Sequence, residues 1–137
     1  MNKVIDHNLE AIEQIVHDAL QGQNVAYDTS SQGLLAQDAE GVLVYYDKGA
    51  ANIFGYTIEE AIGMPSATLV PNNPVNPDYI KARQELFDRV LATGNPEEIR
   101  GTQRRTKSGD VITIDAVVFR YQLSGVYSIA ALVKKVG

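Results

Sequence analysis

The chain of 137 residues contains no cysteine and no tryptophan, and it has only two histidines. Without cysteine it cannot form disulfides, thiolate nucleophiles or cysteine-ligated metal sites. The two histidines, His7 and His17, lie on one predicted helix, where they are separated by roughly 15 Å along the axis. They cannot share a metal ion, so we expect no metal site.

Positive charge and long apolar runs are also scarce. Twelve Lys and Arg against seventeen Asp and Glu give a net charge of −5, whereas nucleic-acid binding requires clustered positive charge. No apolar run approaches the roughly 20 residues needed to cross a bilayer. The first residues, MNKVIDHNLEAIEQ, are charged too early for a secretory signal. We therefore expect a cytoplasmic protein with neither nucleic acid nor membrane as a partner.

Catalytic motifs are absent as well. The sequence has no glycine-rich phosphate loop, and its serines stand in no nucleophile motif. No histidine falls in the expected core to activate a hydroxyl. The paired glutamates, Glu59-Glu60 and Glu97-Glu98, are adjacent in sequence, so their side chains diverge on a helix. We expect no enzymatic activity and no catalytic residues.

Residues 1–22 are predicted to form an amphipathic helix. Its apolar stripe recurs at alternating spacings of four and three, and it consists of Ile5, Leu9, Ile12, Val16 and Ala19. This pattern fits a helix that caps its own domain and, equally, a helix shared across a dimer. A polar connector, 23–32, separates this helix from the main domain, 33–137.

Within the main domain the pattern predicts two strands, several helices and then three strands. Asp47 is a suitable cap for a short helix that ends near Gly55, and Thr57 with Glu60 forms a capping box for the next. A longer helix runs from Asn76-Pro77 to Gly94. The predicted strands are 33–38, 42–46, 97–106, 111–121 and 127–136.

The strand 111–121 carries apolar residues on both of its faces. One face has Ile112, Ile114, Ala116 and Val118, and the other has Val111, Val117, Phe119 and Tyr121. An antiparallel sheet with one solvated face alternates more cleanly, so both faces of this sheet must be covered. The middle helices cover one face, and the N-terminal helix or a partner subunit covers the other. The fold class is α+β.

Two segments resemble the PAS domain family. YYDKGAANIFGYTIEEAIG is similar to the family's strand-to-helix passage: Gly55, Tyr56, Glu60 and Gly63 match, and Asp47 stands where asparagine is common. RRTKSGDVITIDAVV is similar to the family's hairpin and the strand after it. The resemblance spans roughly residues 30–136.

The resemblance implies a PAS-like five-stranded antiparallel sheet flanked by short helices around a small cavity. Family members sense ligands, light or redox state, or bind partner proteins, and relay the change through terminal helices. The resemblance also implies an ion pair between Glu60 and Lys107.

The cofactor stays unknown at this stage. Photoreceptors with cysteine-linked flavin or chromophore are excluded, since the chain has no cysteine. Oxygen sensors of the family hold haem through a histidine on the long helix, and this chain has Ile80 near that position. A His-ligated haem is therefore not expected, and ordinary flavin binding stays open.

A ligand site is expected between the sheet and the long helix. Its candidate residues are Ile53, Leu69, Ile80, Gln84, Phe87, Leu91, Ile99, Gln103, Ile112, Ile114, Val118 and Ile129. The alternative is that these residues simply pack as core. Gln84 and Gln103 are the polar groups expected to orient a ligand. A basic strand edge, Arg100, Arg104, Arg105 and Lys107, fits either an acidic ligand or partner, or a solvated edge.

The function expected is that of a sensory, signal-transducing PAS domain, as in two-component systems, that binds a small, mostly apolar ligand. The signal is relayed through the N-terminal helix or a homodimer interface formed by that helix and the outer sheet face, toward an effector domain or protein partner. The alternative is a ligand-free module for protein interaction and dimerisation. A third hypothesis is that the domain is a haem or flavin sensor.

Overall fold

The computed structural model describes residues 2–23, 26–71 and 78–136, and side chains within 9–23, 26–71 and 81–136. The elements are α1 (Asn2–Gly22), β1 (Gln32–Gln37), β2 (Leu43–Tyr46), α2 (Lys48–Phe54), α3 (Ile58–Ala61), a 3₁₀ turn (Ser66–Leu69), α4 (Asp78–Thr93), β3 (Glu97–Arg105), β4 (Val111–Leu123) and β5 (Val126–Lys135). The predicted cap of the long helix, Asn76-Pro77, lies outside the described residues. None of the helices in the described ranges is long and apolar enough to cross a membrane.

The five strands form one antiparallel sheet in the order β2-β1-β5-β4-β3. Its centre is the β4–β5 hairpin, whose strands pair continuously from Ile114–Lys135 to Leu123–Val126. The hairpin reverses at Ser124 and Gly125, which both have positive φ, of 52° and 80°. The predicted α+β class and five-stranded sheet are confirmed.

Helix α1 covers the outer face of the sheet. Ile12 and Val16 of its stripe, together with Leu20 of the last turn, are 4%, 0% and 2% exposed, and they pack against Phe119 and Tyr121 of β4. Within one chain, therefore, the helix caps its own domain. Leu9 and Ala19 at the edge of this stripe stay partly exposed, and the side chain of Ile5 lies outside the described residues.

The inner face of the sheet carries the other half of the strand residues. Ile114, Ala116 and Val133 pack with residues of β2 and α2, including Tyr46 and Phe54. Farther along the same face, Val118 and Ile129 pack against α4 through Leu86, Phe87 and Val90. The alternation predicted for β4 thus divides its side chains between α1 and the middle helices.

The tight corner from β2 into α2 depends on Asp47 and on one glycine. Asp47 Oδ1 accepts hydrogen bonds from the backbone N–H of Ala50, at 2.9 Å, and of Leu34, at 3.0 Å, so it caps the helix and ties it to β1. A Cβ at Gly49 would lie 2.0 Å from the Gln32 carbonyl oxygen, so only glycine fits there.

Helix α4 is fixed over the inner face at its C-terminal end. Val90 is fully buried against the sheet. Arg120 Nη1 donates a 2.8 Å hydrogen bond to the Leu91 carbonyl oxygen, and the Arg120 guanidinium lies 3.9 Å from the ring centroid of Tyr127. These contacts fix the position of the C-terminal end of α4 relative to β4 and β5.

Replacing Ile12 by alanine tests whether α1 is part of the folded domain. Because Ile12 is buried against the sheet, Ile12→Ala should lower the free energy of unfolding by about 2–5 kcal/mol. Glu10→Ala, on the exposed side of the same helix, should change it by less than about 0.5 kcal/mol. Urea titrations of both variants measure this, and equal stabilities would show that α1 does not dock as described.

Candidate functional site

A cavity of about 50 Å³ lies between the inner face of the sheet, α4 and the 3₁₀ turn. Such a volume has room for roughly four water-sized groups, since one water needs about 10–15 Å³. The described residues that line it are Leu35, Ala36, Gln37, Phe54, Ser66, Leu69, Arg83, Phe87, Arg104, Ile114, Ala116, Val118, Ile129, Ala130, Ala131 and Val133.

Five of the candidate residues named from sequence come together as cavity walls: Leu69, Phe87, Ile114, Val118 and Ile129. They are buried, and they supply an apolar surface from β4, β5, α4 and the 3₁₀ turn. The alanines Ala116 and Ala131 on the inner face leave the central space open, because their side chains are too short to fill it.

The other candidates lie elsewhere. Ile53, Leu91, Ile99 and Ile112 are partly buried in the surrounding core clusters. Gln84 is exposed and donates to Asp88 on its own helix, at 3.0 Å, and Gln103 is exposed on β3. The side chain of Ile80 lies outside the described residues.

A β-bulge at Gly101 explains why Gln103 faces outward. Ile99 pairs with Ala116 and Thr102 pairs with Ile114. Two residues of β3, Arg100 and Gly101, therefore lie opposite one residue of β4, Asp115. Gly101 provides the left-handed backbone, with φ of 67°, and its N–H donates to Asp115 Oδ1 at 2.8 Å. The extra residue reverses the alternation, which places Thr102 and Arg104, rather than Gln103, on the inner side.

The polar part of the cavity lining comprises Gln37, Ser66, Arg83 and Arg104. Ser66 Oγ donates to Gln37 Oε1 at 2.5 Å, which joins the 3₁₀ turn to β1. The guanidinium carbon of Arg83 lies 4.5 Å from the ring centroid of Phe87, one helical turn away on α4. Arg104 Nη1 donates to the Gln103 carbonyl oxygen at 2.7 Å and to Thr102 Oγ1 at 3.4 Å.

Sequence reasoning missed three of these polar residues as cavity residues, and it named Arg104 only as part of a basic edge. Arg83 carried a usable signal, since it precedes Phe87 by four positions and so shares its helix face. Of the other basic residues on that edge, Arg100 pairs with Glu98 at 2.9 Å and Arg105 Nη2 donates to the Thr68 carbonyl oxygen at 3.3 Å.

A second group of polar side chains joins α1 to the corner at Asp47. The Tyr27 hydroxyl donates to Asp47 Oδ2, and His17 Nε2 lies 3.3 Å from the Tyr45 hydroxyl oxygen. Burial, together with the neighbouring Asp47 carboxylate, raises the pKa of Tyr27 above its ordinary value. Tyr27 therefore stays protonated and continues to donate to Asp47.

An ion pair fixes the β3–β4 hairpin to α3. Lys107 Nζ lies 2.6 Å from Glu60 Oε2, and this ammonium group holds the pKa of Glu60 below its ordinary value. The Lys107 backbone N–H also donates to the Phe54 carbonyl oxygen at 2.9 Å. Across the described ranges there is no cluster of three or more acidic or histidine side chains that could hold a metal ion.

Comparison of the chain with known proteins gives one consistent result. A family model described as the PAS fold matches residues 24–126. A curated relative, an uncharacterised protein of Azorhizobium caulinodans, is 32% identical over 98 residues, which are 71% of this chain and 12% of that protein. The chain therefore spans about an eighth of the length of that relative.

Solved PAS domains share the fold. The PAS domain of a Colwellia psychrerythraea protein has a TM-score of 0.63, with 17% identity, over 85% of this chain and 96% of that one. That of nitrogen regulation protein NR(II) from Vibrio parahaemolyticus has a TM-score of 0.62, with 11% identity, over 77% and 89%. Drosophila melanogaster Cycle PAS-B, a W398A variant with bound glycerol, has a TM-score of 0.59, with 15% identity, over 75% and 96%.

The matched segment covers three quarters of the chain and includes β1 to β4, α2 to α4 and every described residue that lines the cavity except those of β5. PAS domains are in general sensory and signalling modules. This chain belongs to the PAS domain family.

Proposed function

We propose that this PAS domain is a sensory module that binds a small ligand in the cavity and passes the change in occupancy to α1. The observation that supports this most is the lining itself, which combines apolar walls with a few polar side chains, as ligand sites do. The glycerol bound in Cycle PAS-B supports a small ligand in this fold. In this proposal the domain acts by binding and has no catalytic activity.

The central strands provide the route from cavity to helix. Ile114, Ala116 and Val118 of β4 face the cavity, while Phe119 and Tyr121 of the same strand face α1. Any movement of β4 that accommodates a ligand therefore changes the surface on which Ile12 and Val16 rest. A ligand shifts the position of α1 to the extent that it binds one arrangement of the sheet more tightly than the other.

The tyrosine–aspartate contact gives this route a second connection. Tyr27 follows α1 in the chain, and its hydroxyl group bonds to the carboxylate that caps α2. Helix α2 contributes Phe54 to the cavity wall. A displacement of α2 by a ligand would thus also reach the segment that leads out of α1.

Filling the cavity tests the ligand proposal. Ala116→Leu places three additional carbon atoms in a cavity of about 50 Å³, so the binding of small fragments should be lost. Amide NMR shifts of the lining residues measure this binding. Ala82→Leu, which adds the same atoms to an exposed position of α4, should leave it unchanged. Fragment-induced shifts that are the same in all three proteins, or absent from the unaltered one, would refute a ligand site here.

The alternative proposal is a ligand-free module for protein interaction. The small volume of the cavity favours it, since sites for larger cofactors need several times more space. This alternative predicts that the unaltered protein, purified and analysed by native mass spectrometry, carries no additional small molecule, and that no fragment shifts the lining resonances.

We also propose a homodimer through α1 and the outer sheet face. Ile12, Val16 and Leu20 are already buried in the single chain, so a second copy would contact the partly exposed edge of the stripe, where Leu9, Ile15 and Ala19 lie.

Leu9→Glu tests this dimer. The added charge would be buried without a partner, so the mass measured by light scattering should fall from two chains to one chain of 15.0 kDa. Gln21→Glu adds the same charge at an exposed position of α1 and should leave the mass unchanged. If the unaltered protein is already a monomer, or if Leu9→Glu keeps the dimer, α1 is not the interface.

A further inference from the structure

We propose that Gln37 couples the cavity to α1, as a positioning residue with one hydrogen bond on each side of the sheet. Its side chain bonds to Ser66 at the cavity, and its backbone carbonyl group bonds to Tyr121 beneath α1. A ligand group that takes the place of the Ser66 hydroxyl would shift Gln37 and thereby disturb Tyr121. This inference rests on the proposed sensory function, and it names the residue that connects the two sides.

The side chain of Gln37 belongs to the cavity. Gln37 and Leu35, two positions apart on β1, both line it. Gln37 Oε1 accepts a 2.5 Å hydrogen bond from Ser66 Oγ, and Ser66 is buried. The Ser66 backbone N–H donates separately to the Gly41 carbonyl oxygen at 2.8 Å. The Ser66 hydroxyl can therefore be removed while the backbone of the 3₁₀ turn keeps this contact.

The carbonyl group of Gln37 belongs to the outer side of the sheet. The pairing of β1 with β5 ends at Ala36, and the Gln37 carbonyl oxygen accepts a 2.5 Å hydrogen bond from the Tyr121 hydroxyl of β4. Tyr121 is buried in the cluster that contains Ile12 and Val16 of α1. Burial raises the pKa of Tyr121 above its ordinary value, so its hydroxyl stays protonated and continues to donate.

The backbone at Gln37 is less firmly held than that of the central strands. The register between β1 and β2 shifts between Ala36 and Gln37, at the point where the pairing with β5 ends. The bonds to Ser66 and Tyr121 therefore contribute more to the position of Gln37 than they would in a continuous ladder. A shift of Gln37 changes the hydrogen bond of Tyr121, and with it the packing beneath α1.

A double-mutant cycle measures this coupling without a ligand. Ser66→Ala removes the donor at the cavity, and Tyr121→Phe removes the donor beneath α1. Each should make the amides of residues 12–20 exchange about fivefold faster, the effect of losing one hydrogen bond. Because both changes act through Gln37, Ser66→Ala should accelerate exchange by less than about twofold once Tyr121→Phe is present, whereas the effects of independent sites multiply.

Tyr46→Phe is the matched control for the cycle. Tyr46 is as buried as Tyr121, but its hydroxyl donates to the Tyr56 carbonyl oxygen at 2.9 Å and to the Ala50 carbonyl oxygen at 3.2 Å. In the Tyr46→Phe background, Ser66→Ala should keep its full effect on the exchange of α1. If the effects of Ser66→Ala and Tyr121→Phe multiply, or if Ser66→Ala has no effect on α1, Gln37 does not couple the two sides.

The Ser66→Ala protein alone decides the question if Tyr121→Phe does not fold. With ¹³C at the Cζ of every tyrosine, Ser66→Ala should shift the Tyr121 resonance, because this carbon senses the hydrogen bond of its hydroxyl, and should leave that of Tyr46 in place. An unchanged Tyr121 resonance would overturn the proposal. Neither measurement uses a ligand, so such a result leaves ligand binding to the fragment test, and failure of that test leaves the coupling through Gln37 standing.

Discussion

The structure depends on a sheet that is covered on both faces. Because successive side chains of a strand point to opposite sides, β4 and β5 present one set of residues to α1 and the other set to the cavity and α4. Phe119 and Val118 are neighbours in sequence, yet one packs under Val16 and the other lines the cavity. Two surfaces that a sensor has to connect are therefore separated only by the thickness of one strand layer.

The bulge in β3 determines what chemistry the cavity contains. With regular alternation after Ile99, the inward positions would be Gly101 and Gln103, and β3 would present a neutral amide to the cavity. The additional residue at Gly101 moves the inward positions to Thr102 and Arg104. A single left-handed glycine thus converts a strand that otherwise presents an amide to the cavity into one that presents a permanent positive charge.

Much of the fold followed from local patterns in the sequence. The α1 stripe, the two-sided alternation of β4, the Asp47 cap and the Thr57–Glu60 capping box are signals within a few residues of one another. The alternation and both caps appear as expected, and Ile12 and Val16 of the stripe are buried against the sheet. The cavity lining was only half predictable, because Gln37, Ser66 and Arg104 reach it through pairing between distant segments. The bulge has no periodic signal in the sequence. A glycine inside a predicted strand, here Gly101, is nevertheless typical of a bulge.

Amide hydrogen exchange in α1 tests most directly whether the cavity and the helix are connected through the sheet. Filling the cavity with Ala116→Leu alters the inner face only, since Ala116 packs with α2 and β2 rather than with α1. If β4 transmits the change, the amides of residues 12–20 should exchange several-fold faster in Ala116→Leu than in the unaltered protein, while Ala82→Leu leaves them unchanged. Unaltered exchange in α1, with changes confined to the strands and α4, would contradict the account.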